Sequence, residues 1–329
     1  METFKSFESK LYTLNDESFA DIALQLFRFQ AVHNPIYRSF ITHLAIDINR
    51  VTTLEAIPFL PIAFFKSQLL QTGEWSPEAI FTSSGTTGSA TSRHDVHDLN
   101  FYLAHAQRCF ESFFGPLTDY NFLALLPSYL ERKGSSLIAM MDHFIRQSAS
   151  PWSAFYLHDV DKMLRDLDTL RSNGRKTILW GVSFALLDLA EQFPRDLSPF
   201  LIFETGGMKG RKKEMTRAEL HTRLTRAFGV DKIYSEYGMT ELLSQGYTRG
   251  GNTFWCPPAL KVVGRDLTDP LQKGLLHETC GINVIDLANI HSVAFIETED
   301  LGKVYPDGSF EILGRMDNSD VRGCNLLIQ

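Results

Sequence analysis

Phe81-Thr82-Ser83-Ser84-Gly85-Thr86-Thr87-Gly88-Ser89 is a run of small and hydroxyl residues between an apolar approach and a predicted helix. Two glycines let the backbone turn and come close to an anion. The hydroxyls of Ser83, Ser84, Thr86 and Thr87 stand beside successive backbone N–H groups, and together these donors suit phosphate oxygens. The stretch therefore reads as a phosphate loop. It lacks the Gly-Lys-Ser/Thr ending of a P-loop, so that reading fails. Ser/Thr/Gly clusters are usually plain loops, and the decision rests on the segments around this one.

Downstream, Asp95 is placed to cap a helix carrying Leu99, Tyr102, Leu103, Ala106, Phe110 and Phe113 on one side, ended by Gly115-Pro116. Strands and helices then alternate. The patterning predicts strands over 121–126, 153–157, 177–181, 200–204 and 232–235, with helices over 135–147, 160–171, 184–193 and 217–228 between them. Such alternation implies a largely parallel sheet with helices on both faces, and ligands at the strand C-terminal ends. The last third changes character: short apolar runs such as 262–263, 275–276, 284–285 and 293–296 are separated by turns, and Asp307-Gly308 supplies a hairpin.

Upstream, Phe19, Ile22, Ala23, Leu26 and Phe27 recur at helical spacing behind Asn15 and Asp16, and a second helical stretch covers 36–46. The proline-broken run 57–62 reads as a buried extended connection rather than a central strand. Phe64 and Phe65 read as core aromatics and Lys66 as a solvated lysine. The expected organisation is a helical and extended part over 1–80, an α/β nucleotide-binding core over 81–250 and a β-rich part over 251–329, in one unit.

Composition removes several functions. A net charge of −7 and a pI near 5.8 argue against nucleic acid as the main partner. No run nears ~18 uninterrupted apolar residues, and the acidic start (Glu2, Glu8, Asp16, Glu17, Asp21) is unlike a secretory signal. Cys109, Cys256, Cys280 and Cys324 stand far apart without a CxxC pair, against both a zinc site and a disulfide framework. A reducing, cytoplasmic home is expected.

Three further segments accompany the loop: Tyr234-Ser235-Glu236-Tyr237-Gly238-Met239-Thr240-Glu241, Glu297-Thr298-Glu299-Asp300-Leu301-Gly302 and Gly314-Arg315-Met316-Asp317. Singly each reads as core packing, a surface carboxylate or a turn. Their order resembles the adenylate-forming superfamily of acyl and aryl CoA synthetases, luciferases and peptide-synthetase adenylation domains, from about residue 81 to the C-terminus. The resemblance implies the large-domain core of that superfamily, an α/β fold with mixed, largely parallel sheets plus a β-rich C-terminal subdomain.

It also implies roles. Ser83, Ser84, Gly85, Thr86, Thr87 and Gly88 would bind the phosphates, Tyr237 would stack on adenine beside Gly238, and Thr240 would hold the α-phosphate. Glu241 would bind Mg²⁺, and Asp300 and Arg315 would hold the ribose of ATP. Gly206-Gly207 would let the backbone run flush against adenine. These roles suit the residue types: a flat π face suits a purine, and a hard cation wants carboxylate oxygen.

Two departures shape the expectation. The family loop continues into Pro-Lys-Gly, whereas here Ser89-Ala90-Thr91-Ser92-Arg93-His94 follows, and Arg93 is the cation available to replace the lysine. The family's small lid domain is expected to be absent, since the chain stops at Gln329. With Ser83 to His94, Leu126-Pro127-Ser128-Tyr129 and Ser135-Ser136, the ending Asp320-Val321-Arg322-Gly323-Cys324-Asn325-Leu326-Leu327-Ile328-Gln329 resembles the acyl-protein synthetases of bacterial bioluminescence (the LuxE family). That resemblance implies a fatty acid substrate, a thioester on Cys324 and a partner reductase of the acyl-CoA reductase kind.

The residues themselves add a modest case for Cys324. Arg322 favours its thiolate, and Gly323 frees the backbone beside it. Cys109 reads as core, His94 and His97 as surface residues at a helix start, and Tyr129, Trp180 and Phe184 as core or acyl-pocket aromatics. Two alternatives stand beside the acyl-protein synthetase: a ligase transferring to CoA or an acyl carrier protein, and a non-catalytic nucleotide-binding scaffold.

Overall fold

In the computed structural model, residues 3–83, 91–127, 134–156, 159–206 and 215–316 are described. The chain begins with three capped helices. In α1 (Phe4–Leu11) the Thr3 side chain accepts the Ser6 N–H; in α2 (Asp16–His33) Asn15 and Ser18 form a reciprocal capping box; in α3 (Pro35–His43) Asn34 caps and Pro35 sits in the first turn. A short strand β1 (Leu60–Pro61) and a single helical turn α4 (Phe64–Ser67) follow.

Two antiparallel strands, β2 (Ala79–Thr82) and β3 (Arg93–Val96), pair with Phe81 opposite His94. This corrects the expected loop-to-helix step. Asp95 lies in β3, paired with Arg93 at 2.7 Å, and Asp98 caps α5 (Leu99–Phe114) by accepting the Phe101 N–H at 2.9 Å. Two aspartates three residues apart both suit a cap, and strand pairing takes the first.

Alternation then proceeds as patterned: β4 (Tyr120–Leu125), α6 (Ser136–Gln147), β5 (Ala154–Phe155), α7 (Val160–Leu170), β6 (Lys176–Val182), α8 (Ser183–Gln192), β7 (Leu201–Thr205), α9 (Arg217–Phe228) and β8 (Tyr234–Tyr237). The last part supplies β9 (Gly246–Thr248), β10 (Thr253–Trp255), β11 (Leu260–Arg265), β12 (Cys280–Asp286), β13 (Phe295–Val304) and β14 (Phe310–Arg315). All but β2 and β3 join one sheet, ordered β11-β12-β13-β14-β10-β9-β8-β7-β6-β4-β5, with β1 added parallel to β13.

The sheet has two halves. From β5 to β8 every pairing is parallel, and β4 is buried along its whole length because helices cover both faces. From β8 to β11 every pairing is antiparallel. Each half has its own apolar core. The first gathers α5 to α9 on the parallel strands; the second packs α1 to α3 and β1 against the antiparallel strands. The N-terminal part therefore covers the C-terminal part. Strand β8 is the seam, parallel to β7 and antiparallel to β9. No helix of the described residues is long and apolar enough to cross a membrane.

Candidate active site

The sequence motif 237–241 leaves the C-terminal end of β8, at the seam. Tyr237 is buried against Phe310 (5.2 Å between ring centroids) and Phe254 (5.8 Å). Its hydroxyl donates to Asp300 Oδ2 at 2.8 Å, and Arg315 Nε donates to Asp300 Oδ1 at 3.3 Å. Burial, with the Asp300 carboxylate beside it, holds the Tyr237 phenol well above its ordinary range, so the hydroxyl stays a donor. Asp300 and Arg315 face each other across β13 and β14, and the Asp300 N–H donates to Thr298 Oγ1 at 3.1 Å. Three residues singled out separately in the sequence thus form one connected group. Their side chains differ in access: Asp300 is 9% exposed and Arg315 66%.

Thr240 and Glu241 are held by groups the sequence did not mark. His94, expected at the surface, is buried; its Nδ1 lies 2.9 Å from the Thr240 carbonyl and its Nε2 3.1 Å from Ser292 Oγ. A carbonyl only accepts, so Nδ1 carries the proton and Nε2 accepts from Ser292. Burial lowers the His94 pKa, consistent with a neutral ring. Asn289 Nδ2 donates to the Glu241 carbonyl at 2.8 Å.

One turn on, Asp286 Oδ2 accepts the N–H groups of Leu243 (2.7 Å) and Ser244 (3.0 Å), while its Oδ1 accepts the Ser244 hydroxyl at 2.6 Å. An acid inside the apolar run of β12 was the available signal for Asp286. His94 offered none, because its partner is 146 residues away.

The Glu241 side chain is 5% exposed. Burial pushes its carboxyl up, only partly offset by the Ser92 hydroxyl, its own backbone N–H, Arg315 and Lys66. Ser92 is in turn tied to the start of the phosphate loop. Its N–H donates to Ser83 Oγ at 2.8 Å, and the Ser83 N–H donates to the Ser92 carbonyl at 3.0 Å. Both ends of the loop therefore meet near Glu241. Ser84, Gly85, Thr86, Thr87 and Gly88 lie outside the described residues, as do Gly207, Tyr129, Asp317, Arg322 and Cys324. Arg93 is engaged with Asp95.

Beside the seam, Gly206 ends β7 with φ of 71°, a left-handed conformation that favours glycine. Its carbonyl accepts from the Ser183 hydroxyl at 3.0 Å. A Cβ at Gly238 would overlap the Glu236 carboxylate.

The two carboxylates here meet opposite surroundings. Glu204 accepts from Ser183 Oγ (2.8 Å) and Arg217 Nε (3.0 Å), with His221 Nε2 at 3.5 Å. Burial pushes its carboxyl up, but His221, Arg217 and Ser235 outweigh that and hold it down to about 2. Glu236 accepts from the Thr205 hydroxyl, yet burial and the nearby Glu204 charge push it up to about 7.

Cys109, Cys280 and Trp180 are core, and Cys256 is half-buried against it. Cys109 is buried and its thiol is pushed up to about 12, so it stays protonated and inert. Trp180 is fully buried, stacked on Phe203 at 4.8 Å. A shallow depression of about 400 Å³ between α8 and α9, lined by Leu187, Arg223 and Arg226 among others, contains none of the residues above.

No protein-family model matches the chain, and no curated protein does. Solved structures do. The ATP-bound MatB from Rhodopseudomonas palustris is similar over 72% of this chain, with a TM-score of 0.54 and 19% identity. A 2-hydroxyisobutyryl-CoA ligase in complex with 2-HIB-AMP and CoA is similar over 93% of this chain and 70% of its own, with a TM-score of 0.68 and 14% identity. The fold is that of the adenylate-forming ligase core. The chain spans about half the length of MatB (48%) and of an ATP-bound RpMatB-BxBclM chimera (47%). The connected group of Tyr237, Asp300 and Arg315 joins the end of β8, at the seam, to β13 and β14 of the antiparallel half.

Proposed function

We propose that the chain activates a carboxylic acid, in this reading a fatty acid, with ATP. The substrate carboxylate oxygen attacks the α-phosphorus, the bond from that phosphorus to the bridging oxygen breaks, and acyl-AMP and pyrophosphate result. The observation that carries this reading is the joining of Tyr237, Asp300 and Arg315 at the seam, beside Thr240 and Glu241. Asp300 accepts from ribose hydroxyls with Arg315 alongside, Tyr237 and the Gly206–Gly207 backbone flank adenine, and Thr240 meets the α-phosphate with Ser83 to Gly88. The His94 and Asp286 bonds hold this backbone before the substrate arrives, so little reorganisation is needed during reaction.

Among the described residues no cluster of three or more His, Cys, Asp or Glu could hold a metal by itself. Glu241 alone suits Mg²⁺, which commonly takes one or two carboxylates plus phosphate oxygens and water. When bound, Mg²⁺ supplies charge neutralisation at the phosphates. A raised, buried Glu241 carboxyl fits that partner, because a cation favours its ionised form.

In the second step the Cys324 thiolate attacks the acyl carbonyl, AMP leaves, and the thiol proton passes to solvent; the thioester then serves a partner reductase. Arg322 and Gly323 beside Cys324 support this acceptor. A second reading, transfer to CoA, is favoured by the likeness to a ligase solved with CoA.

Intact mass after incubation with ATP, Mg²⁺ and a panel of carboxylic acids decides between them. Acyl-enzyme in the wild type and none in Cys324→Ser supports the cysteine acceptor. Label found only on added CoA supports the second reading, and absence of acid-dependent pyrophosphate exchange contradicts both.

A further inference from the structure

Lys66 reads in the sequence as a solvated lysine, but the fold carries it to the seam. The two residues of β1 pair in parallel with β13, Leu60 beside Ile296 and Pro61 beside Glu297, and the Ile62 N–H donates to the Glu297 carbonyl at 2.8 Å. A single turn, α4, then follows. Phe65 is buried in that turn and packs edge-on against His94 (5.5 Å), the ring bonded to the Thr240 carbonyl. Lys66 comes next, its Nζ 3.8 Å from Glu299 Oε1, on the residue immediately before Asp300.

That ion pair is too long for a hydrogen bond, and the lysine side chain remains 41% exposed. Its ammonium therefore keeps donors to offer. Lys66 also lies close enough to influence the Glu241 carboxyl, as does Arg315. The surrounding charges are Lys66 and Arg315 against Glu241, Glu299 and Asp300, so no excess of cation waits there without a ligand.

We propose that Lys66 meets the α-phosphate oxygens of the nucleotide as the acyl–phosphate bond forms and pyrophosphate departs. This rests on the adenylation reading above and adds a residue from the N-terminal segment to it. A cation whose contact tightens as charge develops raises kcat more than it lowers KM.

The test is acid-dependent pyrophosphate exchange in the full chain. Lys66→Met should lower kcat about 100-fold with KM for ATP changed less than about threefold, the scale of one lost transition-state donor. Lys66→Gln should behave alike, and Lys66→Arg should keep about a tenth or more of the rate. Glu299→Gln, which removes the ion pair but leaves the ammonium, should stay within about threefold of wild type. Wild-type kcat in Lys66→Met and Lys66→Gln would overturn the role of Lys66 while leaving the adenylation reading intact. An equal loss in Glu299→Gln would also overturn it, since the pair would then be structural. A wild-type protein that exchanges pyrophosphate with no acid would overturn the adenylation reading and the role of Lys66 with it.

Discussion

The parallel and antiparallel halves of the sheet are assembled differently. Between β4 and β8 the core is local, built from the helices α5 to α9 that alternate with these strands along the chain. Between β9 and β14 the cover comes from the opposite end of the chain. Gln30 Nε2 donates to the carbonyls of Asn289 (2.8 Å) and Ile290 (3.1 Å), and its Oε1 accepts the Ala294 N–H at 3.0 Å. Asn34 reaches the Ser292 carbonyl at 3.1 Å, and Phe295 packs on Phe27, Tyr37 and Phe59. A site at the junction inherits one wall from each kind of assembly. Its geometry depends on contacts that close loops of more than 250 residues as well as on local ones.

The strongest way to break this arrangement is Arg217→Ala. Arg217 neutralises Glu204 in the parallel half and lies over the Phe254 ring of the antiparallel half, 4.6 Å from its centroid. Its removal leaves a buried carboxylate with only Ser183, Ser235 and His221 beside it and cuts a tie between the halves. Urea denaturation should show a loss of about 3–5 kcal/mol; a loss below about 1 kcal/mol would mean that Glu204 finds other partners.

Gln30→Leu separates the halves more selectively. It fills the space but leaves three buried backbone groups unpaired, at a cost of about 3 kcal/mol. Amide exchange should rise in 280–304 while 120–182 keeps its protection. Equal loss across both would show that they open as one unit.

The smallest expected effect is a gain. Glu236 has its folded pKa raised from the ordinary 4.5 to about 7, so the folded chain holds that proton more tightly than the unfolded one. The resulting stability is full below about pH 4.5 and is lost as pH rises through about 7. Glu236→Gln does not titrate. Relative to wild type its stability should grow between pH 5 and pH 8 by on the order of 2 kcal/mol. A pH-independent difference would contradict the burial of an uncompensated carboxyl.

The same contrast governs how much was legible in the sequence. The parallel half could be read nearly element by element, because each strand is a buried apolar run and each helix carries its own stripe. The four motifs of the site were legible as segments, and the bonds among Tyr237, Asp300 and Arg315 bring three of them together. What escaped were long-range matters. Nothing in 57–62 says that Leu60 and Pro61 pair with Ile296 and Glu297, since proline breaks the strand signal while still allowing an extended partner. His94 looked like a loop residue because its burial depends on Thr240 and Ser292, and the N-cap moved from Asp95 to Asp98 because β2 claims 93–96.

The central claim is that nucleotide binds at the seam of the two halves. Amide hydrogen exchange of the full chain with and without saturating ATP and Mg²⁺ tests it most directly. The account predicts new protection in 237–245, 298–301 and 314–316 together, from segments that meet only in the folded protein. Protection confined to the depression between α8 and α9, or none at these three segments, would contradict it.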